Sequence, residues 1–220
     1  QFVAEQVGGE LVEVTTLTAP GVEAHDLELS PAAVRDLGRA DAVLYLSGFQ
    51  AAVDSAIEAT SVHGIDAQSV LDEHATGHDE DHGDHDHGEE EGHEGHDHAD
   101  GDPHFWLEPL LLAEYGHHVA AEFGELDPAN AQVYTANADQ LTADLTALDT
   151  EYSTGLATCA RTDLFVGHEA FGYLTERYGL MQHGLAGLDP DAEPSPARIR
   201  EVRTAIEASG ATTIFSETAV

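Results

Sequence analysis

The chain has 220 residues, 41% of them hydrophobic, which is enough to bury a core and indicates one or two domains. Its formal net charge of −36, with seven Arg and no Lys, excludes nucleic acid and anionic membrane surfaces as partners, because both require basic patches. The single cysteine, Cys159, excludes an intramolecular disulfide and a thiolate metal cluster within these residues.

The first part of the chain alternates between helix and strand patterns. Gly8-Gly9 is typical of a helix C-terminus, and Ser30-Pro31 is typical of a helix N-cap followed by the first helical residue. The predicted elements are a helix at 1–7, a strand at 11–17, a helix at 32–39, a strand at 42–46, a helix at 49–60 and a short strand at 65–71.

An acidic, histidine-rich tract follows, at about residues 73–101. It contains almost nothing apolar, so we predict that it forms no ordered core of its own. Neutral imidazole and carboxylate are ligands for Zn²⁺ and similar cations, and we therefore expect an auxiliary metal-collecting loop. Its histidines are His74, His78, His82, His85, His87, His93, His96 and His98.

Two long helices are predicted after the tract. The first spans 106–123, with apolar residues at steps of four. The second is predicted to begin at Asp127-Pro128 and to run for about 45 Å, which is longer than a small domain is wide. We expect it to join two lobes, with an apolar stripe made of Val133, Leu141, Leu145, Leu148, Tyr152 and Leu156.

The remainder repeats the strand–helix plan, with strands predicted at 163–167, 183–188 and 212–217 and helices at 171–178 and 196–209. The predicted fold class is α/β, with two lobes that are each a parallel sheet with flanking helices, joined by one long rigid helix. We divide the chain into an N-terminal lobe at 1–125, a linker helix at 126–157 and a partial C-terminal lobe at 158–220. Both ends fall within predicted elements, so we expect both to be truncated.

Three histidines are candidate ligands of a principal metal site. His25 and His168 follow predicted strands, and His104 lies in an ordered-looking Asp-Pro-His step. Ligands of open parallel sheets bind outside the strand carboxyl ends, so two facing lobes can bring these residues into one cleft. Three imidazoles suit Zn²⁺. Glu217, at the end of the last predicted strand, is a candidate fourth ligand or a hydrogen-bond partner of a ligand.

Four motifs, in order, resemble the zinc-type substrate-binding proteins of bacterial ABC importers, the ZnuA/AdcA-like cluster A-I metal-binding lipoproteins. They are Pro20-Gly21 with His25 and Leu29-Ser30-Pro31, then Asp102-Pro103-His104-Phe105-Trp106-Leu107-Glu108-Pro109, then Gly167-His168-Glu169-Ala170-Phe171-Gly172-Tyr173, then Glu193-Pro194-Ser195-Pro196. The sequence departs at Val22-Glu23-Ala24, where the family has an Asp-Pro step, so Glu23 is a further nearby carboxylate.

The resemblance implies high-affinity binding of Zn²⁺ by His25, His104 and His168 between the lobes, and delivery to the membrane permease subunit of an ABC importer. Manganese-type members have a carboxylate at the position of His168, and the imidazole in this chain favours zinc. The implied protein is extracytoplasmic, periplasmic or lipid-anchored, monomeric and not an enzyme. The alternatives are a zinc-dependent hydrolase, since three histidines and a water form a catalytic arrangement, and a surface metal-buffering or adhesion protein without a permease.

Overall fold

The structure, a computed structural model, describes residues 1–19, 21–77 and 101–216. The helices within these ranges are α1 (Phe2–Gly8), α2 (Pro31–Leu37), α3 (Ala51–Thr60), α4 (Gln68–Gly77), α5 (Pro109–Leu126), α6 (Ala131–Leu156), α7 (Gly172–Tyr178) and α8 (Pro196–Ser209). The strands are β1 (Val43–Tyr45), β2 (Gly64–Asp66), β3 (Asp163–Val166) and β4 (Met181–Gly184), and single 3₁₀ turns lie at Gly9–Leu11 and Phe105–Leu107. No helix in the described ranges is long and apolar enough to cross a membrane.

Each lobe is built around a parallel pair of strands with a crossover helix. In the first, β1 pairs with β2, with Val43 opposite Gly64, and α3 makes the crossover. In the second, β3 pairs with β4, with Asp163 opposite Met181, and α7 makes the crossover. The predicted α/β class with two lobes joined by a long helix, α6, is confirmed.

The main hydrophobic core lies where α5 and α6 pack against α1 and β2. The α5 stripe is Leu111, Tyr115, Val119 and Phe123, buried at the predicted steps of four. Gly116 lets α6 approach closely, because a Cβ at this position would lie 2.9 Å from Leu141 Cδ2. The first half of α6 is therefore an integral part of the core of the N-terminal lobe.

The stripe predicted for α6 is wrong in part. Leu141 and Leu145 are buried, but Val133 is 45% exposed, and Leu148 and Tyr152 are also exposed. Tyr134 is buried in place of Val133. The helix begins at Ala131 rather than at Asp127-Pro128. The cause is local, because the Asp127 carboxylate accepts hydrogen bonds from the Asn130 side chain at 2.6 Å and the Tyr134 hydroxyl at 3.1 Å, which closes a turn before the helix.

Three predicted strands also need correction. Residues 11–17 contain the end of a 3₁₀ turn and then no strand, since no neighbouring strand pairs with them in the described part of the chain. Residues 65–71 divide between β2 and α4, which continues through His74 to Gly77. At 212–217 the described residues make one parallel bridge, between Phe215 and Val166, and Glu217 lies outside them.

Candidate metal site

The three candidate histidines converge at the carboxyl side of both sheets. One ring nitrogen each from His25, His104 and His168 lies within 4.8 Å of the other two, and this is the one such group of three among the described residues. The Nε2 atoms of His104 and His168 are 3.4 Å apart. His25 and His104 come from the chain before α6, and His168 comes from the chain after it.

His104 is held by the carboxylate of Asp102. Asp102 Oδ1 lies 2.7 Å from His104 Nδ1 and accepts the His104 backbone N–H at 3.0 Å. A carboxylate can only accept here, so the ring carries its proton on Nδ1 and presents the lone pair of Nε2 to the site. Pro103 fixes the backbone between the two residues. His104 is buried, so the ring has one orientation.

His25 is held by Glu23 in the same way. Glu23 Oε1 lies 2.7 Å from His25 Nδ1 and accepts the backbone N–H groups of Ala24 and His25. The hydrogen bond from His25 is the main reason that the pKa of Glu23 lies below its usual range. The Nε2 atom of His25 is buried and has no hydrogen-bond partner among the described residues, as expected of a lone pair directed at a metal ion. Gln50 braces this loop by donating to Ala24 O at 2.6 Å.

His168 lies two residues after the end of β3, in a loop tied to the end of β4. The backbone N–H of Glu169 donates to Gly187 O at 2.9 Å, and that of Ala186 donates to Gly167 O at 2.9 Å. The Glu169 carboxylate turns away from the site and pairs with Arg198. His168 itself is buried. The sequence places His168 beside a strand end, and these bonds fix how far it reaches into the cleft.

Aromatic rings pack at the edge of the site. Phe49 meets His25 edge-on at 5.1 Å between ring centroids, and Trp106 meets His104 at 5.3 Å. The Phe49 and Trp106 rings are 6.1 Å apart. These apolar rings exclude water from one side of the imidazoles, which strengthens electrostatic attraction to a cation.

The spacing suits a tetrahedral cation with nitrogen ligands. Two imidazole nitrogens at about 2.0–2.1 Å from Zn²⁺ lie roughly 3.3–3.4 Å apart in a tetrahedron. The His104–His168 separation of 3.4 Å already has this value. Both Asp102 and Glu23 make the carboxylate–imidazole contact that raises the basicity of metal-bound histidines. The arrangement can therefore bind Zn²⁺ through three imidazoles.

A cavity of about 980 Å³ adjoins His25 and carries an excess of acidic groups. Its lining includes His25, Asp102 and Arg177, and also the acidic residues Asp72, Glu108, Glu114, Glu176 and Asp189. His74 and Gly101 line it too, so the described residues at both ends of the histidine-rich tract border this cavity. The negative lining attracts cations to the mouth of the site.

The other predicted site residues have separate positions. His74 Nδ1 lies 3.8 Å from Glu114 Oε2 on α5, away from the three-histidine group. Glu23 contacts the Nδ1 side of His25. Glu217 lies outside the described residues, as do the tract histidines His78, His82, His85, His87, His93, His96 and His98.

Sequence reasoning missed the role of Asp102 as the partner of His104. A signal was present, since both Asp102 and Glu23 precede their histidines by two residues. An aspartate side chain commonly bonds to the backbone two residues on, which also brings it next to the ring of that residue, and Glu23 makes the same contact with a longer side chain. The contributions of Phe49 and Gln50 had no such signal, because they reach His25 from another part of the chain.

Comparisons with known proteins identify relatives that are described as zinc-uptake or zinc-binding proteins. The model of one family, described as "Zinc-uptake complex component A periplasmic", matches residues 1–220. The chain is 32% identical over 217 residues to the high-affinity zinc uptake system protein ZnuA of Bacillus subtilis, with 97% of this chain and 66% of that protein covered. It is 33% identical over 226 residues to the zinc-binding lipoprotein AdcA of Streptococcus pneumoniae, with 97% of this chain and 42% of that protein covered.

Solved structures give the same result. The Zn(II)-bound ZnuA-like domain of Streptococcus pneumoniae AdcA aligns with a TM-score of 0.74 and 26% identity, covering 100% of this chain and 76% of that one. The laminin-binding protein Lmb of Streptococcus agalactiae, described as bifunctional with adhesin and metal transporting activity, aligns with a TM-score of 0.80 and 26% identity, covering 99% and 76%. The chain thus spans about two thirds of one curated relative and under half of the other.

Proposed function

This chain belongs to the family of periplasmic A components of zinc-uptake complexes, and on that premise we propose that it binds Zn²⁺ through His25, His104 and His168 and delivers it to an ABC permease. The ion is the transported substrate, and the proposed function includes no catalysed reaction. The observation that carries the proposal is the convergence of the three ring nitrogens within 4.8 Å, with His104 and His168 at the spacing of tetrahedral ligands.

The donor set supports zinc over harder cations. Imidazole nitrogen is a borderline ligand that suits Zn²⁺, whereas Mn²⁺ and Mg²⁺ prefer carboxylate and water oxygen. The two described carboxylates nearest the rings, Asp102 and Glu23, are engaged with the Nδ1 atoms of His104 and His25. Water, Glu217 or another oxygen donor is left to complete the coordination.

A zinc titration of the metal-free chain tests this proposal. We expect one tight site in a chelator-competition assay, weakened at least about 100-fold by His104→Ala, since one of three protein ligands is lost. His63→Ala is the matched control, because His63 pairs with Glu122 on the surface of α5. Equal affinity of the His104 and His63 variants would overturn the assignment.

For the histidine-rich tract we propose a collecting role. The described residues at its two ends, His74 and Gly101, border the acidic cavity next to His25, and this adjacency supports the proposal. Deleting residues 76–99 should remove weak zinc binding and leave one tight site. Loss of the tight site in the same titration would make the tract the principal site instead.

The protein is proposed to act outside the cytoplasm, in line with the periplasmic family and the lipoprotein relative, and the proposed oligomeric state is a monomer. A surface adhesion role is a second candidate, because Lmb, a structural relative, is described as both adhesin and metal transporter. Binding to immobilised laminin with and without zinc tests it. The hydrolase alternative is disfavoured because the family consists of transport components and because Glu169, next to His168, pairs with Arg198.

A further inference from the structure

One face of α7 contacts both ends of the chain segment that carries His104. The Tyr173 hydroxyl donates to Asp102 O at 3.5 Å, and Arg177 Nη1 donates to Glu108 Oε1 at 3.0 Å. Tyr173 and Arg177 are four residues apart, so they lie one above the other on the same helix face. Because α7 begins four residues after His168, this face connects the segments that carry His104 and His168.

Arg177 has a second carboxylate partner, on the linker helix α6. Its Nε donates to Asp149 Oδ1 at 2.5 Å, and the Tyr178 hydroxyl donates to the same oxygen at 3.0 Å. A single guanidinium therefore joins Glu108 of the N-terminal lobe, Asp149 of α6 and α7 of the C-terminal lobe. Its planar group holds several N–H donors in fixed directions, and the ammonium of a lysine reproduces this geometry only in part.

The carboxylates of this network are removed from solvent, with Glu108 9% and Asp149 16% exposed. Burial raises the pKa of Glu108, and the hydrogen bond from Arg177 is the main reason that the pKa of Asp149 is lowered. A carboxylate buried in this way is costly unless its cation stays in place. The network therefore resists separation of the three elements more strongly than a surface ion pair does.

We propose that Arg177 is a positioning residue for the metal site, which holds His104 and His168 at their 3.4 Å spacing before the ion binds. This inference rests on the proposed function. Two neutral imidazoles attract each other too weakly to set the distance between two lobes, so the scaffold must set it. Without the link through Arg177, the ion must order the lobes as it binds, which weakens binding and speeds dissociation.

The test compares zinc binding by the full chain and its variants Arg177→Met, Arg177→Lys and Glu108→Gln. Dissociation constants come from chelator competition at 20 °C, and dissociation rates from stopped-flow mixing with excess chelator. We expect affinity about 10–100-fold weaker for Arg177→Met, mostly through faster dissociation, as for other residues that orient ligands. Arg177→Lys should recover part of the loss. Arg203→Met is the matched control, since Arg203 pairs on the surface of α8 with Glu207.

If Arg177 had a purely structural role, Arg177→Met would lower the stability of the fold without weakening zinc binding. Leu141→Ala, in the core between α5 and α6, serves as the destabilised comparison and should keep wild-type affinity within about twofold at 20 °C, where the chain stays folded. Saturating Co²⁺ should give Arg177→Met the same ligand-field bands as the wild type, because its ligands are unchanged. Changed bands would overturn the inference.

The outcomes separate this inference from the proposed function. Tight binding by the wild type with unchanged affinity in Arg177→Met, or equal weakening in Leu141→Ala, would overturn the role of Arg177 alone. Absence of tight zinc binding by the wild type would overturn the proposed function and this role with it. If Arg177→Met does not fold, Glu108→Gln decides, since it keeps the side-chain shape and removes the charge that Arg177 binds.

Discussion

Asp102 and Glu23 make the same contact with different histidines, and this pair allows a quantitative test of the site. Each places a carboxylate oxygen 2.7 Å from the Nδ1 atom of its histidine. The Asp102 side chain is 9% exposed and the Glu23 side chain 45% exposed. We predict that Asp102→Asn weakens zinc binding clearly more than Glu23→Gln does.

The magnitude follows from burial. A buried hydrogen bond to a charged group contributes about 1.5–3 kcal/mol, and each 1.4 kcal/mol is a factor of ten in affinity, so Asp102→Asn should weaken binding about 10–100-fold. Exposed pairs contribute about 0.2–1 kcal/mol, so Glu23→Gln should weaken binding by at most about fivefold. The amide oxygen of Asn can still accept from His104, so the tautomer is kept and mainly the charge is lost.

The assay is chelator competition on metal-free protein at constant ionic strength, with circular dichroism to verify folding. Asp36→Asn is the control, because the exposed Asp36 near the end of α2 pairs with the exposed Arg39 just after this helix. Its zinc affinity should equal that of the wild type. An effect of Glu23→Gln as large as that of Asp102→Asn, or none for Asp102→Asn, would refute the argument that burial decides the strength of these contacts.

Further predictions concern stability. Leu141→Ala truncates a core side chain that is 3% exposed and should lower the free energy of urea unfolding by about 2–5 kcal/mol. Val133→Ala, at the exposed start of α6, should lower it by less than about 0.5 kcal/mol. Ser195→Ala removes the side chain that accepts the Arg198 backbone N–H at 3.1 Å and should cost about 1 kcal/mol in the same assay. Because the pKa of Asp149 is lowered in the fold, its carboxylate stabilises the protein at pH values above the ordinary Asp pKa of about 3.9. This stabilisation is lost as the pH falls through the folded-state pKa. Asp149→Asn should therefore flatten the acid side of a plot of unfolding free energy against pH.

Elements fixed by local chemistry could be predicted from the sequence. The helix from Pro196 to Ser209 has its capping serine before it and Gly210, at φ 65°, after it, as predicted. Ser30 caps α2 in the same manner, by accepting from Ala33 N. In each case the capping bond joins residues within a few positions of one another, so the amino-acid types alone carry the information.

Features that depend on distant partners could not be predicted in this way. The alternating pattern at 11–17 fails as a strand because a strand needs a neighbour to pair with, and the pattern contains no information about one. Val133 and Tyr134 are both plausible core residues by type, and the packing of α6 on α5 decides that Tyr134 is buried. Arg177 and Glu108 are 69 residues apart, so nothing local marks their ion pair.

The proposed position of the ion between the lobes would link tight binding to release. His25 and His104 precede α6 and His168 follows it, so a bound Zn²⁺ would cross-link two parts of the chain that are otherwise held by α6 and by the contacts of α7. An ion bound in the proposed way would stabilise only the arrangement in which all three rings converge, and by linkage anything that separates the lobes would weaken binding to the same extent. If Arg177 sets that arrangement, a permease that disrupts its pair with Glu108 would lower the affinity without touching a ligand. The pair of Arg177 and Glu108 would then have two roles. It would keep the metal site assembled while the protein is not bound to the permease, and its disruption by the permease would promote release of the ion.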